Sequence, residues 1–316
     1  MWLVINKGTM PKALIFPKKR GNFKVGSRSI SSPGTGQLLV KIRSAALNPV
    51  DYKIRDTGIS VTHCPVISGV DIAGIVQELG EGVENFRKGN KVLAHGNFSI
   101  IDQGAFQRLE GVNYITGYIA SQIPSNQSFD SAATVPLGEQ SGSRDTPSLS
   151  EKPIVILGGS SSVGSYTIQL ARLSGFYPVV TTASPNNEDL VMGYGATHFF
   201  DRHLSGNQLA AAISKVTDSP IRIVFDTISL PETQSEDEGK GRKAVSTIGS
   251  PHLPHNHELF RSSWAMVEKW LSKGIIQPNN HEILPNGLEG IIGGLERMRM
   301  GQVSGTKLVA HPQETQ

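Results

Sequence analysis

Gly158-Gly159-Ser160-Ser161-Ser162-Val163-Gly164 decides the fold. It stands directly after the apolar run Ile154–Leu157 and directly before residues 163–173, whose apolar positions share one helical face. A buried strand, a glycine-bearing turn and a helix in that order open a βαβ unit. Amides at the start of a helix carry partial positive charge, so a pyrophosphate binds there with little rearrangement. Against the G-x-G-x-x-G template, Gly159 and Gly164 match, while Ser161 replaces the middle glycine. The same residues would serve an ordinary tight turn, but the βαβ setting favours the dinucleotide role.

Downstream, strands at 179–182, 198–200 and 221–225 alternate with helices at 188–194 and 208–216, which implies an α/β, doubly wound parallel sheet of the Rossmann kind. Cofactor choice is set about 20 residues beyond the turn, where an acidic side chain would bind an NAD ribose. That place is Ser184, in the stretch Ser184-Pro185-Asn186-Asn187. A serine and two amides can donate to a 2′-phosphate that a carboxylate would repel, so NADPH is the expected cofactor. Arg202, after the third strand, either adds a charge-assisted contact or is a plain surface arginine.

Upstream the pattern differs. Short extended runs at 12–16, 37–46, 74–79 and 91–93 alternate with Gly, Pro and Asn, as in a β-rich, barrel-like domain. From about residue 259 come a helix carrying Trp264, Met266, Val267 and Trp270, then the segments 288–298 and 303–310, which return to the first domain. The expected division is therefore a catalytic domain over 1–124 completed by 259–316, and a nucleotide domain over 125–258. Two polar stretches, 138–150 and 231–243, read as solvated loops.

Composition narrows the function classes. With 316 residues, 38% hydrophobic and 18% charged, the chain suits a two-domain globular enzyme. A net charge of +3, with Lys18-Lys19-Arg20 as one short basic cluster, does not make a nucleic-acid surface. The single cysteine, Cys64, excludes an intrachain disulfide and any multi-thiolate metal site. No apolar run approaches the roughly 20 residues of a membrane span, and the expected location is the cytoplasm.

Leu47-Asn48-Pro49-Val50-Asp51-Tyr52-Lys53, Gly69-Val70-Asp71-Ile72-Ala73-Gly74 and Gly80-Glu81-Gly82-Val83 resemble the catalytic-domain signature of zinc-free quinone oxidoreductases and enoyl reductases of the medium-chain dehydrogenase/reductase type. With the 158–164 turn, the 184–187 stretch, Lys273-Gly274-Ile275-Ile276-Gln277-Pro278 and the ending Val303-Ser304-Gly305-Thr306-Lys307-Leu308-Val309, the chain looks most like the fungal trans-acting enoyl reductases of polyketide biosynthesis. The resemblance implies a GroES-like catalytic domain beside the Rossmann domain. Zinc-dependent relatives carry a Cys in the region of Asn48 to Asp51, a His near Val70 and four further cysteines. None is present here, so no metal site is expected; the loop with His252, His255 and His257 lacks an evident carboxylate partner.

The activity implied is NADPH-dependent reduction of the α,β-double bond of a polyketide-type thioester in secondary metabolism. Lys53 is the candidate for stabilising the substrate oxygen or delivering a proton, and Asn48 for orienting the substrate or closing its own turn. The resemblance carries cofactor contacts to Val50, Asp51, Tyr52 and Lys53, to Ser160, Ser161, Ser162 and Val163, to Ser184, Pro185, Asn186 and Asn187, to Arg202, and to Ile248, Gly249, Val303 and Ser304. Asp51 is expected to fix local backbone or the cofactor amide rather than act as a base. The implied partners are a small or carrier-bound enoyl substrate and a polyketide synthase, with the chain a monomer. Relatives usually place a cleft-lining helix where 138–150 is short and polar, and further elements between 231 and 260. Two other readings stay open: an NADPH quinone or alkenal oxidoreductase, and a nucleotide-binding or partner-binding module with impaired catalysis.

Overall fold

Strands Gln37–Ala46 and Asp71–Leu79 build the first unit: Leu38, Val40 and Ile42 are buried at alternate positions of one, Ile72 and Val76 lie on one face of the other, and Leu39 and Ala73 are buried on the opposite faces as well. The computed structural model describes residues 11–27, 32–59, 61, 63–97, 99–100, 103–107, 112–136, 151–228 and 249–316. The expected loops at 138–150 and 231–243, and Ile248, lie outside the described residues. The chain divides into two compact units, Met1–Leu137 with Trp264–Ser272 and Asn280–Gln316, and Gly138–Ser263 with Lys273–Asn279.

In chain order the first unit holds β1 (Lys12–Phe16), β2 (Lys24–Ser27), β3 (Gln37–Ala46), α1 (Pro49–Thr57), β4 (Val66–Ile67), β5 (Asp71–Leu79), β6 (Lys91–His95), β7 (Val112–Thr116), β8 (Ala120–Gln122) and α2 (Phe129–Ala133). The second holds β9 (Ile154–Leu157), α3 (Ser162–Leu173), β10 (Val179–Ala183), α4 (Glu188–Gly193), β11 (His198–Asp201), α5 (Gly206–Ile213) and β12 (Ile223–Asp226). Helix α6 (His257–Ser272) runs from the second unit into the first, where β13 (His281–Leu284), α7 (Gly287–Arg299) and β14 (Lys307–Ala310) follow.

Strand β3 pairs antiparallel with β5, β7 and β14. Its sheet runs β13-β14-β3-β5-β6-β8, and a smaller sheet runs β2-β1-β4. Leu14, Phe16, Leu38, Ile42, Ile72 and Phe106 are fully buried in the core, and α7 adds Leu288, Ile291 and Leu295 at helical spacing. The unit extends to Leu137, beyond the break expected at residue 124, because α2 packs against β3, β5 and β6.

The second unit is a parallel sheet in the order β11-β10-β9-β12, the third, second, first and fourth of its strands. That order is one half of a Rossmann fold. Ile154, Ile156, Ile168, Val179 and Val191 form its core. Helix α5 begins at Gly206, earlier than its apolar pattern suggests, because Ser205 caps it: the Ser205 amide donates to Gln208 Oε1 at 2.9 Å and the Gln208 amide to Ser205 Oγ at 3.4 Å. Strand β12 begins at Ile223 rather than residue 221, three residues past Pro220, which has no amide to offer a ladder.

Candidate functional site

The turn after β9 is tied down from two sides. The Gly158 amide donates to Thr182 Oγ1 at 3.1 Å and the Gly159 amide to the Thr182 carbonyl at 2.9 Å. Thr227, just beyond β12, donates its hydroxyl to the Leu157 carbonyl at 2.7 Å and shares a 2.9 Å hydrogen bond with Ser161 Oγ. A Cβ on Gly159 would lie 2.1 Å from Thr181 Oγ1, and one on Gly164 would lie 2.2 Å from the Gly158 carbonyl oxygen. Both positions therefore need glycine for close packing of strand, turn and helix.

Ser161 caps α3, its Oγ accepting from the Gly164 amide at 2.9 Å. Ser162 Oγ accepts from Asn279 Nδ2 at 2.9 Å. Two of the predicted contact hydroxyls thus shape the turn itself. Ser160, Ser161, Ser162 and Val163 are all half-buried at this turn.

At the end of β10, the Asn187 amide donates to the Ser184 carbonyl at 2.9 Å, closing the short turn Pro185–Asn187. The Arg202 amide donates to the Ala183 carbonyl at 2.9 Å, and Asp201 is the register partner of Ala183. Arg202 is thereby brought beside Ser184, and its side chain is exposed. Asp201 is turned to local use, its Oδ1 accepting from the His203 amide at 3.0 Å. Gly249 is exposed and belongs to this unit.

In the first unit, α1 starts at Pro49, with the first-turn Asp51 buried. Asp51 Oδ2 accepts from the Asn48 amide at 2.8 Å, the return arm of a capping box, and Oδ1 accepts from Ser68 Oγ at 3.3 Å. Burial pushes the Asp51 carboxyl up to about 7, the nearby Asp71 charge adds to the rise, and the hydrogen bonds to Asn48, Ser68 and Gly69 oppose it. Asn48 Nδ2 donates to Asp71 Oδ2 at 3.0 Å. Asp71 also forms a buried ion pair with Lys307, whose Nζ donates to the Thr134 carbonyl at 3.3 Å. On the same helix Lys53 is exposed, while Val50 and Tyr52 are half-buried and pack against the core. Val303 is half-buried and Ser304 exposed, just before β14.

Among the described residues no three of His, Cys, Asp and Glu are grouped as metal ligands would be, His252, His255 and His257 included. No helix among them is long and apolar enough to cross a membrane.

Residues 34–134 match the alcohol dehydrogenase GroES-like domain, and residues 162–237 the zinc-binding dehydrogenase domain. The trans-enoyl reductase resD of Aspergillus sclerotiorum is 30% identical, over 90% of this chain and 95% of that protein. The chain belongs to the trans-enoyl reductase family. Another member, trans-enoyl reductase TOXD of Cochliobolus carbonum, is 36% identical over 70% of this chain and 77% of its own length. The fold is shared more widely: an alcohol dehydrogenase superfamily protein from Novosphingobium aromaticivorans, 21% identical, superposes with a TM-score of 0.76 over 95% of this chain and 99% of that one. This trans-enoyl reductase is accordingly an oxidoreductase of the medium-chain dehydrogenase/reductase superfamily, with a GroES-like domain and a Rossmann-type parallel sheet.

Of the two roles expected for Asn48, orienting the substrate or closing its own turn, the hydrogen bonds describe the second: it caps α1 inside a buried network with Asp51, Asp71 and Lys307. Asp71, Lys307, Ser68, Thr227 and Asn279 were not singled out. For Asp71 and Lys307 a signal existed: each is a charge opening an apolar strand, and a buried charge requires a partner.

Proposed function

We propose that this trans-enoyl reductase uses NADPH to reduce the α,β-double bond of a polyketide-type thioester presented by a separate synthase. The relatives named trans-enoyl reductases support the reaction class, and the pairing of a carboxylate-free Ser184 with Arg202 supports the phosphate-bearing cofactor. The glycine turn fits a dinucleotide: its packing excludes a Cβ at Gly159 and Gly164, and it sets the amides of Ser162 and Val163 at a helix start. Ser184, Pro185, Asn186, Asn187 and Arg202 would hold the 2′-phosphate end, with Ser160, Ser161, Ser162 and Val163 at the pyrophosphate. Val50, Asp51, Tyr52, Lys53, Gly249, Val303 and Ser304 are the remaining contacts in this reading.

When bound, the reduced nicotinamide supplies a hydride for the substrate β-carbon. The chain has then to stabilise the enolate-like charge on the thioester oxygen and see a proton delivered to the α-carbon. Lys53 is assigned that role as an exposed ammonium on α1, a helix whose start is fixed by the Asn48 and Asp51 network. No cysteine lies in the region of Asn48 to Asp51 and no histidine in the region of Val70, where zinc-dependent relatives carry them, so the reaction is assigned to proceed without bound zinc. A cytoplasmic monomer is the working state.

The deciding experiment is fluorescence titration with NADPH and NADH, repeated on Ser184→Asp, followed by turnover of a carrier-bound enoyl thioester against a simple quinone. Preference for NADPH that Ser184→Asp reverses, with the thioester the better substrate, supports the proposal. Preference of the parent for NADH overturns the cofactor assignment, and faster quinone reduction overturns the substrate assignment.

A further inference from the structure

A β-bulge in β3 creates a second concentration of chemistry, independent of the enoyl reductase reading. The β3 and β5 register passes from Ile42 opposite Gly74 to Ser44 opposite Ala73, so Arg43 is the extra residue. Ile75 and Lys91 are register partners across β5 and β6 and share one face, and the face of Ala73 is that of Ile75. In a regular strand Arg43 and Ser44 would point to opposite faces. The bulge turns both toward the same cleft, of about 420 Å³, which α2 and the C-terminal turn Pro312–Glu314 also border.

We propose that this cleft binds a small organic phosphate with an apolar portion, the phosphate held between Arg43 and Lys91. Neither cation has a carboxylate partner among the described residues; Lys91 Nζ lies 5.5 Å from the Phe129 ring centroid, and Arg43 is half-buried. A guanidinium fork and an ammonium set on one wall are suited to a dianion rather than to a single carboxylate. The cleft also contains Asp130, which would repel such a ligand if left bare. Its carboxylate is engaged by the Ser44 hydroxyl and by His311 Nε2, the latter at 2.8 Å. His311 Nδ1 is in turn 2.9 Å from Glu314, a carboxylate at the exposed end of the same turn.

The remaining walls suit the rest of the ligand. Ile75, Ile123 and Phe129 provide an apolar surface. Gln313 Oε1 is buried with no hydrogen-bond partner, an acceptor in need of a hydroxyl or amide donor.

The test is isothermal titration of the full chain with phenyl phosphate, with inorganic phosphate and phenol as separate arms. One site is expected, tighter for phenyl phosphate than for either fragment. Arg43→Gln and Lys91→Gln should each weaken it about tenfold, the scale of one lost charge-assisted hydrogen bond, and Arg43→Lys should recover part of the loss. Urea unfolding verifies that the variants are folded, and Lys91→Gln, at an exposed position, carries the test if Arg43→Gln does not fold. Unchanged affinity in Lys91→Gln overturns the proposal, as does loss of binding in Arg202→Gln, which would move the probe to the dinucleotide turn. Inorganic phosphate binding as tightly as phenyl phosphate overturns the apolar part of the assignment.

Discussion

The side-chain amide of Asn48 donates to Asp71 Oδ2 at 3.0 Å, and the same carboxylate is ion-paired with Lys307, so the entry to α1 is fastened to the last strand, β14. Lys307 and Asp71 are 3% and 0% exposed, so removing one leaves a buried charge without its counter-ion. Lys307→Met should cost about 3–5 kcal/mol of stability. Asp71→Asn on that background should restore part of it, since the amide needs no counter-ion. Urea denaturation of the two single variants and the double variant checks this; additive losses would show that the pair is not coupled.

Asp51 gives a pH signature. Folded, its carboxyl keeps a proton to about pH 7, whereas the ordinary value is 3.8. Between those values the folded chain binds more protons than the unfolded one, so this group's contribution is complete below about 3.8 and is lost as pH rises through about 7. Asp51→Asn, which does not titrate and keeps an acceptor for the Asn48 amide, should lose less stability than the parent across that window. Melting curves at several pH values provide the comparison, and parallel profiles for the two proteins would contradict it.

Much of this was legible because local signals agreed with one another. The run Ile154–Leu157, the glycine turn and the α3 face all specify the same βαβ geometry, and the observed parallel sheet follows from them. Asn48 before Pro49 signals a turn, which is found, without revealing what its side-chain amide will meet. Its partner Asp71 is 23 positions away, and Lys307 is 236 positions from Asp71, separations at which a single sequence carries no pairing information. The role of Ser162 was blurred in the same way, since Asn279 reaches it from 117 positions on. The bulge at Arg43 leaves no mark in the residues of β3 alone, because register depends on both strands.

Gly159 provides a packing test of the nucleotide turn. A methyl there would sit 2.1 Å from Thr181 Oγ1, itself held by a 2.8 Å hydrogen bond to the Ile156 carbonyl, and 2.8 Å from Ile168. The turn must then move away from β10. Gly159→Ala should destabilise the chain by about 1–3 kcal/mol and weaken NADPH binding more than the loss of folded protein explains. Fluorescence titration below the variant's melting temperature separates the two effects. Unaltered affinity would mean that the turn's geometry does not govern cofactor binding.

Lys53 and Asn48 lie five positions apart, yet one is exposed and the other buried. Lys53 is exposed on α1, so Lys53→Met should leave the melting temperature nearly unchanged while lowering kcat for an enoyl thioester by about 10²-fold or more, the range for removal of a proton donor. Asn48 is 1% exposed and bound to Asp71, so Asn48→Ala should act first on stability, leaving the Asp71 carboxylate short of a donor. Steady-state kinetics together with thermal melting distinguishes them. Lys53→Met with full kcat would remove the lysine from the reaction and return the proton delivery to solvent. A stable Asn48→Ala variant with a depressed kcat would show instead that Asn48 reaches the substrate.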